Sequence, residues 1–388
     1  MREVKALYRK LTAPLSFKEK YPECRRDNKI HVLFVGPCLC GSGYYRMIMP
    51  ALELNRTRTH SAIVTEILKW NFNKSFDDYN HIIDARLILW ADYVVLPAIL
   101  TDACYFMDGM KRVKSNIRFI MDMDMNYHEI PEDSTVSKRI TDVHRQALIG
   151  NLLKANLVTS PNKCLLGYYK KMLQETGREN LPYFLYLPNV LSSYTYQEVP
   201  LEREHENETT HILLTGSGNH YADFGSIIVV LKSLTEAYGS TLRITFFGWD
   251  GKKPSGENLL AGINCNFEHS VSFTEYFNRL HYLDIDIILL PSLDITFNVC
   301  GKSTIKYLEA AALGIPVVAS NNGLYNEVIE DGHTGYLATT PEEWKTKINA
   351  LIEDGHLRKE IGSAAQENAW KNHSFTKVFS KTFERVFI

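Results

Sequence analysis

Asn298-Val-Cys-Gly-Lys302-Ser-Thr-Ile-Lys-Tyr-Leu-Glu309-Ala-Ala-Ala-Leu-Gly314-Ile-Pro316-Val-Val-Ala-Ser320 is the stretch whose reading decides the fold. A polar loop, 298–304, is followed by apolar residues at Ile305, Leu308, Ala311, Ala312 and Leu313. That i, i+3, i+4 spacing is one buried helical face, so a helix is expected from Ser303 onward. Gly314 supplies a helix stop and Pro316 cannot continue one, and Ile315, Val317 and Val318 then read as a short buried parallel strand. The free backbone N–H groups of such a helix, beside Lys302, Ser303 and Thr304, form a ready place for phosphate, since dipole, hydroxyls and ammonium all favour an anion. Two turns further on, Glu309 is positioned to accept hydrogen bonds from a pair of sugar hydroxyls. Each residue also has a plainer role: Ser-Thr before an apolar helix serves as an N-cap, and a helical glutamate serves as a solvated surface group.

Strand and helix patterns alternate on either side of this unit. Before it come a strand at 211–215, the loop Gly216-Ser217-Gly-Asn-His220, a helix at 224–238, strands at 242–247 and 264–267, a helix at 273–283 and a strand at 285–290. After it come a strand at 334–338 and helical sequence over 341–388, in three pieces separated near Gly355 and Ser374. Nearer the N-terminus, strand 30–36 runs through the loop 37–43 into a helix at 44–54. Strands at 61–67, 92–97, 117–121, 156–160 and 183–187 follow, with helices at 81–90, 102–114, 137–154 and 164–173 between them. Residues 192–210, with the charge run 202–208, are polar enough to read as a linker. The fold class is therefore α/β, two Rossmann-like doubly wound domains facing a cleft, where ligands usually sit. The expected divisions are 1–190, a linker at 191–210, a domain at 211–373, and a last helix, 374–388, free to pack on the N-terminal domain. Gly41 and Gly43 do not complete a Gly-x-Gly-x-x-Gly fingerprint, because position 46 is Arg. The loop is thus expected to face a ligand other than a nicotinamide or flavin cofactor.

Composition sets outer limits. At 388 residues the chain is long enough for two or three cores, and 45% hydrophobic with 23% charged residues is ordinary for a globular protein. The net charge of −2 gives no reason to expect a nucleic-acid partner. Seven scattered cysteines argue against a disulfide framework and for a reducing compartment, and the lone Cys38-x-Cys40 lacks the further ligands a metal site needs. No apolar run approaches the roughly 20 residues that span a bilayer, and the N-terminus has no signal-like apolar core, so a cytoplasmic location is expected. The first 29 residues carry nine Lys/Arg against four Asp/Glu. They read either as an ordinary solvated helix or as a basic face for peripheral contact with anionic lipid, at about 1 kcal/mol per basic residue.

The second half resembles the donor-binding domain of GT-B glycosyltransferases, nearest the retaining, family 4-like enzymes. Residues 302–320 carry the resemblance. So do Gly323-Leu-Tyr-Asn-Glu-Val-Ile-Glu-Asp-Gly-His-Thr-Gly-Tyr-Leu337, the pair Phe273 and Tyr276, and the segment 284–291. In the first half Gly43-Tyr-Tyr-Arg46, Asp122-x-Asp124 and Pro188-Asn189 add to it. The resemblance implies transfer of a sugar from a nucleotide-diphosphate donor to a saccharide or lipid-linked acceptor, with retention and without a metal or other cofactor. It also implies roles. Glu309 would hold the ribose hydroxyls, Lys302, Ser303 and Thr304 the diphosphate, Ser270 and Val271 the base, and Gly216, Ser217 and Asn298 further parts of the donor. Gly41, Gly43, Tyr45, Arg46, Asp122 and Asp124 would meet donor phosphate or acceptor, with capping and packing as their structural alternatives.

Departures from the family pattern are as informative. Gly301 stands eight residues before Glu309, where the pattern has a first glutamate, and 216–223 lacks the usual Arg and Lys pair. Lys302, with His220 as an additional donor, is the expected replacement and hence the catalytic pair. A non-catalytic nucleotide-sugar-binding protein, a nucleotide-sugar epimerase and a phosphorylase remain as alternatives.

Overall fold

Unalternated aliphatic runs such as Ile287-Ile-Leu-Leu290 are buried on both faces, the condition under which strands pair in parallel beneath covering helices. The computed structural model describes residues 2–387 apart from 37, 39, 66–82, 133, 135, 197–208, 218–219 and 254. Within it two units each hold one sheet, the first comprising 1–130, 137–194 and 378–388 and the second 131–136 and 195–377.

The first sheet contains β1 (Ile30–Phe34), β2 (His60–Val64), β3 (Tyr93–Pro97), β4 (Arg118–Asp122), β5 (Leu157–Ser160) and β6 (Tyr183–Tyr186). Its order is β2-β1-β3-β4-β5-β6 and every pairing is parallel. The second contains β7 (Thr210–Thr215), β8 (Leu242–Phe247), β9 (Asn266–Glu268), β10 (Ile287–Leu290), β11 (Val317–Ser320) and β12 (Tyr336–Ala338). Its order is β12-β11-β10-β7-β8-β9, again all parallel, so the strands run 3-2-1-4-5-6 as in dinucleotide-binding sheets. The order reverses between β1 and β3 in one sheet and between β7 and β10 in the other. Loops leaving the carboxyl ends of those neighbours diverge and leave a crevice.

The decisive stretch forms its helix over Ile305–Ala312, two residues later than its apolar spacing predicts. A short helix, Thr296–Val299, and the bond from Lys302 N–H to the Asn298 carbonyl (3.0 Å) occupy the preceding turn. At the other end Gly314 (φ 66°) donates to the Ala311 carbonyl at 2.9 Å and Ile315 to that of Ala310 at 3.0 Å, the paired bonds of a Schellman motif. The helix Gly355–His373 completes this end, since Gln366 Nε2 donates to the Ala312 carbonyl at 2.9 Å. Gly362 lies so near that a Cβ there would sit 2.0 Å from the Gly314 carbonyl oxygen.

Local chemistry interrupts several expected helices. The pattern over 137–154 resolves into a 3-10 turn, Ser137–Arg139, and a helix, Asp142–Lys154, begun by Thr141. That over 224–238 becomes Tyr221–Gly225 and Ile228–Tyr238, with the Ser226 hydroxyl donating to the Asp223 carbonyl at 2.6 Å between them. The segment 44–54 opens with a π turn, Tyr44–Ile48. The strand expected over 61–67 ends at Val64 and the helix expected over 81–90 starts at Ala85. Their remainders within 66–82, and the linker stretch 197–208, lie outside the described residues. The chain's last turn packs on the first sheet, where Phe387 meets Phe34, Tyr93 and His60 edge to face.

Glycine position decides two expected stabilities. Gly362→Ala should destabilise the protein by about 1–3 kcal/mol through overpacking against Gly314. Gly150→Ala, in the helix Asp142–Lys154 with nothing within 4 Å of a new Cβ, should stabilise it by roughly 0.5–1 kcal/mol. Urea unfolding of the two variants measures both.

Candidate functional site

In the second unit the loops at the β7/β10 reversal meet on one carboxylate. Asp223, 3% exposed, accepts at Oδ1 from the Leu293 N–H (3.0 Å) and Asn298 Nδ2 (2.7 Å). Its Oδ2 takes the Lys302 ammonium and lies 3.2 Å from His220 Nδ1. Burial works against this charge, yet the hydrogen bonds from His220 and Lys302 and the charge of Lys302 hold Asp223 well below the usual carboxylate range. Burial, reinforced by the neighbouring Lys306 charge, lowers His220 to about 3. His220 therefore brings no positive charge at neutral pH, and its Nδ1 lies 3.2 Å from Asp223 and 3.3 Å from Lys302, donating to the first in one tautomer and accepting from the second in the other. Asn298 is 2% exposed and ties Asp223 to the Leu293 carbonyl at 3.0 Å.

One helical turn beyond Lys302, Lys306 donates to the carbonyl of Thr215, the last residue of β7. Burial and the Lys302 charge bring Lys306 down to about 8, with Glu309 and Asp223 opposing. Glu309, 6% exposed, accepts the Tyr276 hydroxyl at 3.0 Å, and Tyr276 also lies 3.3 Å from Thr215 Oγ1. Ser303 and Thr304 stand part-exposed at the helix start, and Ser270 and Val271 lie exposed on the loop after β9. A Cβ on Gly216 would sit 2.9 Å from the His220 ring. One on Gly248 (φ 95°) would sit 2.9 Å from the Gly216 carbonyl oxygen. The loops after β7 and β8 thus meet backbone to backbone, with Ser217 exposed beside them. Asp223, Lys306 and Tyr276 escaped the sequence reading as site residues. Lys306 had a signal, its place four residues after Lys302 and three before Glu309.

In the first unit, Arg46 and Asp122 form a buried bidentate pair: Nε reaches Oδ1 at 2.8 Å and Nη2 reaches Oδ2 at 2.7 Å. Arg46 Nη1 also donates to the Leu187 carbonyl (2.8 Å) and Asn189 Oδ1 (2.9 Å), while the Thr159 hydroxyl donates to Asp122 Oδ2 at 2.6 Å. The pair brackets the ends of β4, β5 and β6 and lines a pocket of about 340 Å³. Ser42, Asp124 and Tyr127 supply polar walls and residues 97–100 an apolar one. Burial and the Asp122 charge raise the Asp124 carboxyl, against a hydrogen bond from Ser42. Gly43 lines the pocket too, and a Cβ there would sit 1.9 Å from the Cys38 carbonyl oxygen; Gly41 is open. Tyr45, 4% exposed, packs edge to face on Tyr44 with centroids 5.0 Å apart. Against the expectation of no disulfide framework, Cys38 and Cys40 are joined, with their Cα atoms 5.4 Å apart, within disulfide reach.

Over 92% of its length the chain is similar to sucrose-phosphate synthase from Thermosynechococcus elongatus, at a TM-score of 0.63, 10% identity and 99% coverage of that chain. It is similar over the same share to Anabaena HepE in complex with UDP and glucose, at a TM-score of 0.61, 14% identity and 99% coverage of that chain. The protein thus has the α/β GT-B fold of glycosyltransferases. Residues 200–368 match the family model for glycosyl transferases group 1. Over 147 residues it is 31% identical to the sulfoquinovosyl transferase SQD2 of Arabidopsis thaliana, covering 37% of this chain and 26% of that protein. Over 86 residues it is 34% identical to the D-inositol 3-phosphate glycosyltransferase of Paenarthrobacter aurescens, covering 22% and 20% respectively. The matched part thus spans about a quarter or less of these relatives' length.

The Arg46–Asp122 pair carries a stability test. Asp122→Ala leaves a buried guanidinium uncompensated and should cost about 3–5 kcal/mol, whereas Arg46→Met with Asp122→Leu should cost less than the single change. Denaturant unfolding of both variants decides it.

Proposed function

We propose that this protein is a glycosyltransferase that moves a sugar, of the hexosyl type, from a nucleotide-diphosphate donor to a saccharide or lipid-linked acceptor, with retention and without a metal. One observation carries the reading. A buried carboxylate, Glu309, follows the cation-bearing start of a helix at the reversal point of a 3-2-1-4-5-6 sheet. That geometry suits a nucleotide, with diphosphate at Lys302–Thr304, ribose at Glu309 and base at Ser270 and Val271. UDP and glucose in the similar HepE structure support a nucleotide-linked sugar as donor. The acceptor belongs with the first-unit pocket, where Ser42, Asp124 and Tyr127 offer hydroxyl-matching groups beside an apolar wall.

The chemistry follows from charge. Cleaving the sugar–phosphate bond builds negative charge on the departing diphosphate, and each donor aimed there is worth about 2.7–4 kcal/mol when removed. With Asp223 holding it, Lys302 keeps the loop before the helix in place. The reading extends to a cytoplasmic site of action and to contact between anionic lipid and the basic helix Arg2–Thr12, whose Val4 and Leu11 are buried. Gly301, buried where the family pattern has a glutamate, favours the second reading, a nucleotide-sugar-binding protein without turnover.

Glu309→Ala should weaken binding of the cognate nucleoside diphosphate by about 10-fold or more, as loss of charge-assisted hydrogen bonds does, and Lys302→Ala, which releases the loop that Asp223 holds, should mainly lower turnover. Calorimetric titration with UDP, GDP and ADP and a diphosphate-release assay measure the two effects. Unchanged binding and turnover in both variants would remove the donor site from this stretch.

A further inference from the structure

We infer that Lys306, rather than Lys302, supplies the positive charge that receives the donor's leaving diphosphate, so that this cation comes from the helix and not from the loop after β7. The inference rests on the donor-site reading above and sharpens it. Lys302 and Asp223 form a direct ion pair, and the carboxylate is fixed from its other side by Leu293 and Asn298. A lysine so paired offers a phosphate little net charge, because its ammonium field is largely cancelled at the next contact.

Lys306 differs in its partner. Its ammonium donates to the Thr215 carbonyl, a neutral acceptor, and an ammonium has three protons to give. Thr215 ends β7 at the reversal point, beside the segment 216–223, which contains no Arg or Lys. The side chain therefore brings a cation from the helix Ile305–Ala312 to the mouth of the loop that lacks one. Glu309, which would grip the ribose, lies three residues on along the same helix. Ribose and diphosphate would thus be held from a single rigid element, at a separation the helix fixes.

The charged and titratable groups around Lys306 are Lys302, Asp223, Glu309 and the uncharged His220. Burial and Lys302 make the ammonium easy to discharge, with its midpoint at about 8. An anionic ligand binds the protonated form, so affinity is full below that pH and declines as pH rises through it.

The test is calorimetric titration of the full chain with UDP, GDP and ADP and with the matching nucleosides, from pH 6.5 to 9.5. Lys306→Ala should weaken the preferred diphosphate by about 10–100-fold, the range of a lost charge-assisted contact, and leave the nucleoside unchanged. Lys306→Gln, which keeps a donor for Thr215, should bind as poorly as the alanine variant. Lys306→Arg should restore affinity to within a few-fold and remove its decline near pH 8. Full diphosphate affinity in Lys306→Ala or Lys306→Gln, with Lys302→Ala losing it, would overturn the inference and leave the donor site standing. No binding of any diphosphate to the unaltered protein would overturn both.

Discussion

The carboxylate of Asp223 is the constraint on which the second unit's site depends. It takes a backbone N–H from the loop after β10, an amide from Asn298 in the short helix, an ammonium from the approach to the next helix, and a ring nitrogen from the loop after β7. Four segments thereby meet on one carboxylate, and the Asn298 bonds to Leu293 and Lys302 tighten three of them further. A buried carboxylate is costly unless its lone pairs are used, and here each oxygen has two partners. The helix Ile305–Ala312 leaves this hub in a fixed direction, and its far end is closed by Gly314 and Gln366. Its start therefore stays where an anion would need it.

The first unit uses the same device with a different result. Asp122 and Arg46 also join distant segments at the carboxyl edge of a sheet, but the guanidinium is consumed by Asp122, Leu187 and Asn189. What remains at the pocket is a carboxylate, hydroxyls and an apolar wall, suited to hydroxyl-bearing ligands more than to phosphate. In the second unit the hub's lysine is followed by another one turn later, and the cationic character persists. Under the proposed transfer, the second unit would take the phosphate-bearing donor and the first the hydroxyl acceptor.

Much of the fold is legible in the chain because its signals are local. Aliphatic runs at β1, β10 and β11, and the apolar face closed by Gly314, depend only on nearby residues. Glu309 is legible for the same reason, being fixed by helical spacing from Lys302. The hubs are not. Asp223 lies 79 residues before Lys302, and Asp122 lies 76 after Arg46, so no spacing rule pairs them. Arg46 and Asp122 read as ligand-facing because a sequence does not reveal that each is the other's partner. Lys306 falls on a helix whose neighbours at 305, 307 and 308 are apolar or aromatic; only the position of Thr215 in space gives it a direction. The bridge between Cys38 and Cys40 likewise depends on local backbone geometry that sequence spacing does not give.

Transfer of a sugar from a nucleotide is the activity proposed for this pair of sheets. The most direct measurement is NMR observation of the 388-residue chain incubated with UDP-, GDP- and ADP-linked sugars, with and without a saccharide acceptor. One donor should be consumed with release of its nucleoside diphosphate, slowly to water alone and faster to acceptor, and the product should keep the donor's anomeric configuration. A donor that binds and is never consumed, or one converted to an epimeric nucleotide sugar without diphosphate release, would contradict the proposed transfer.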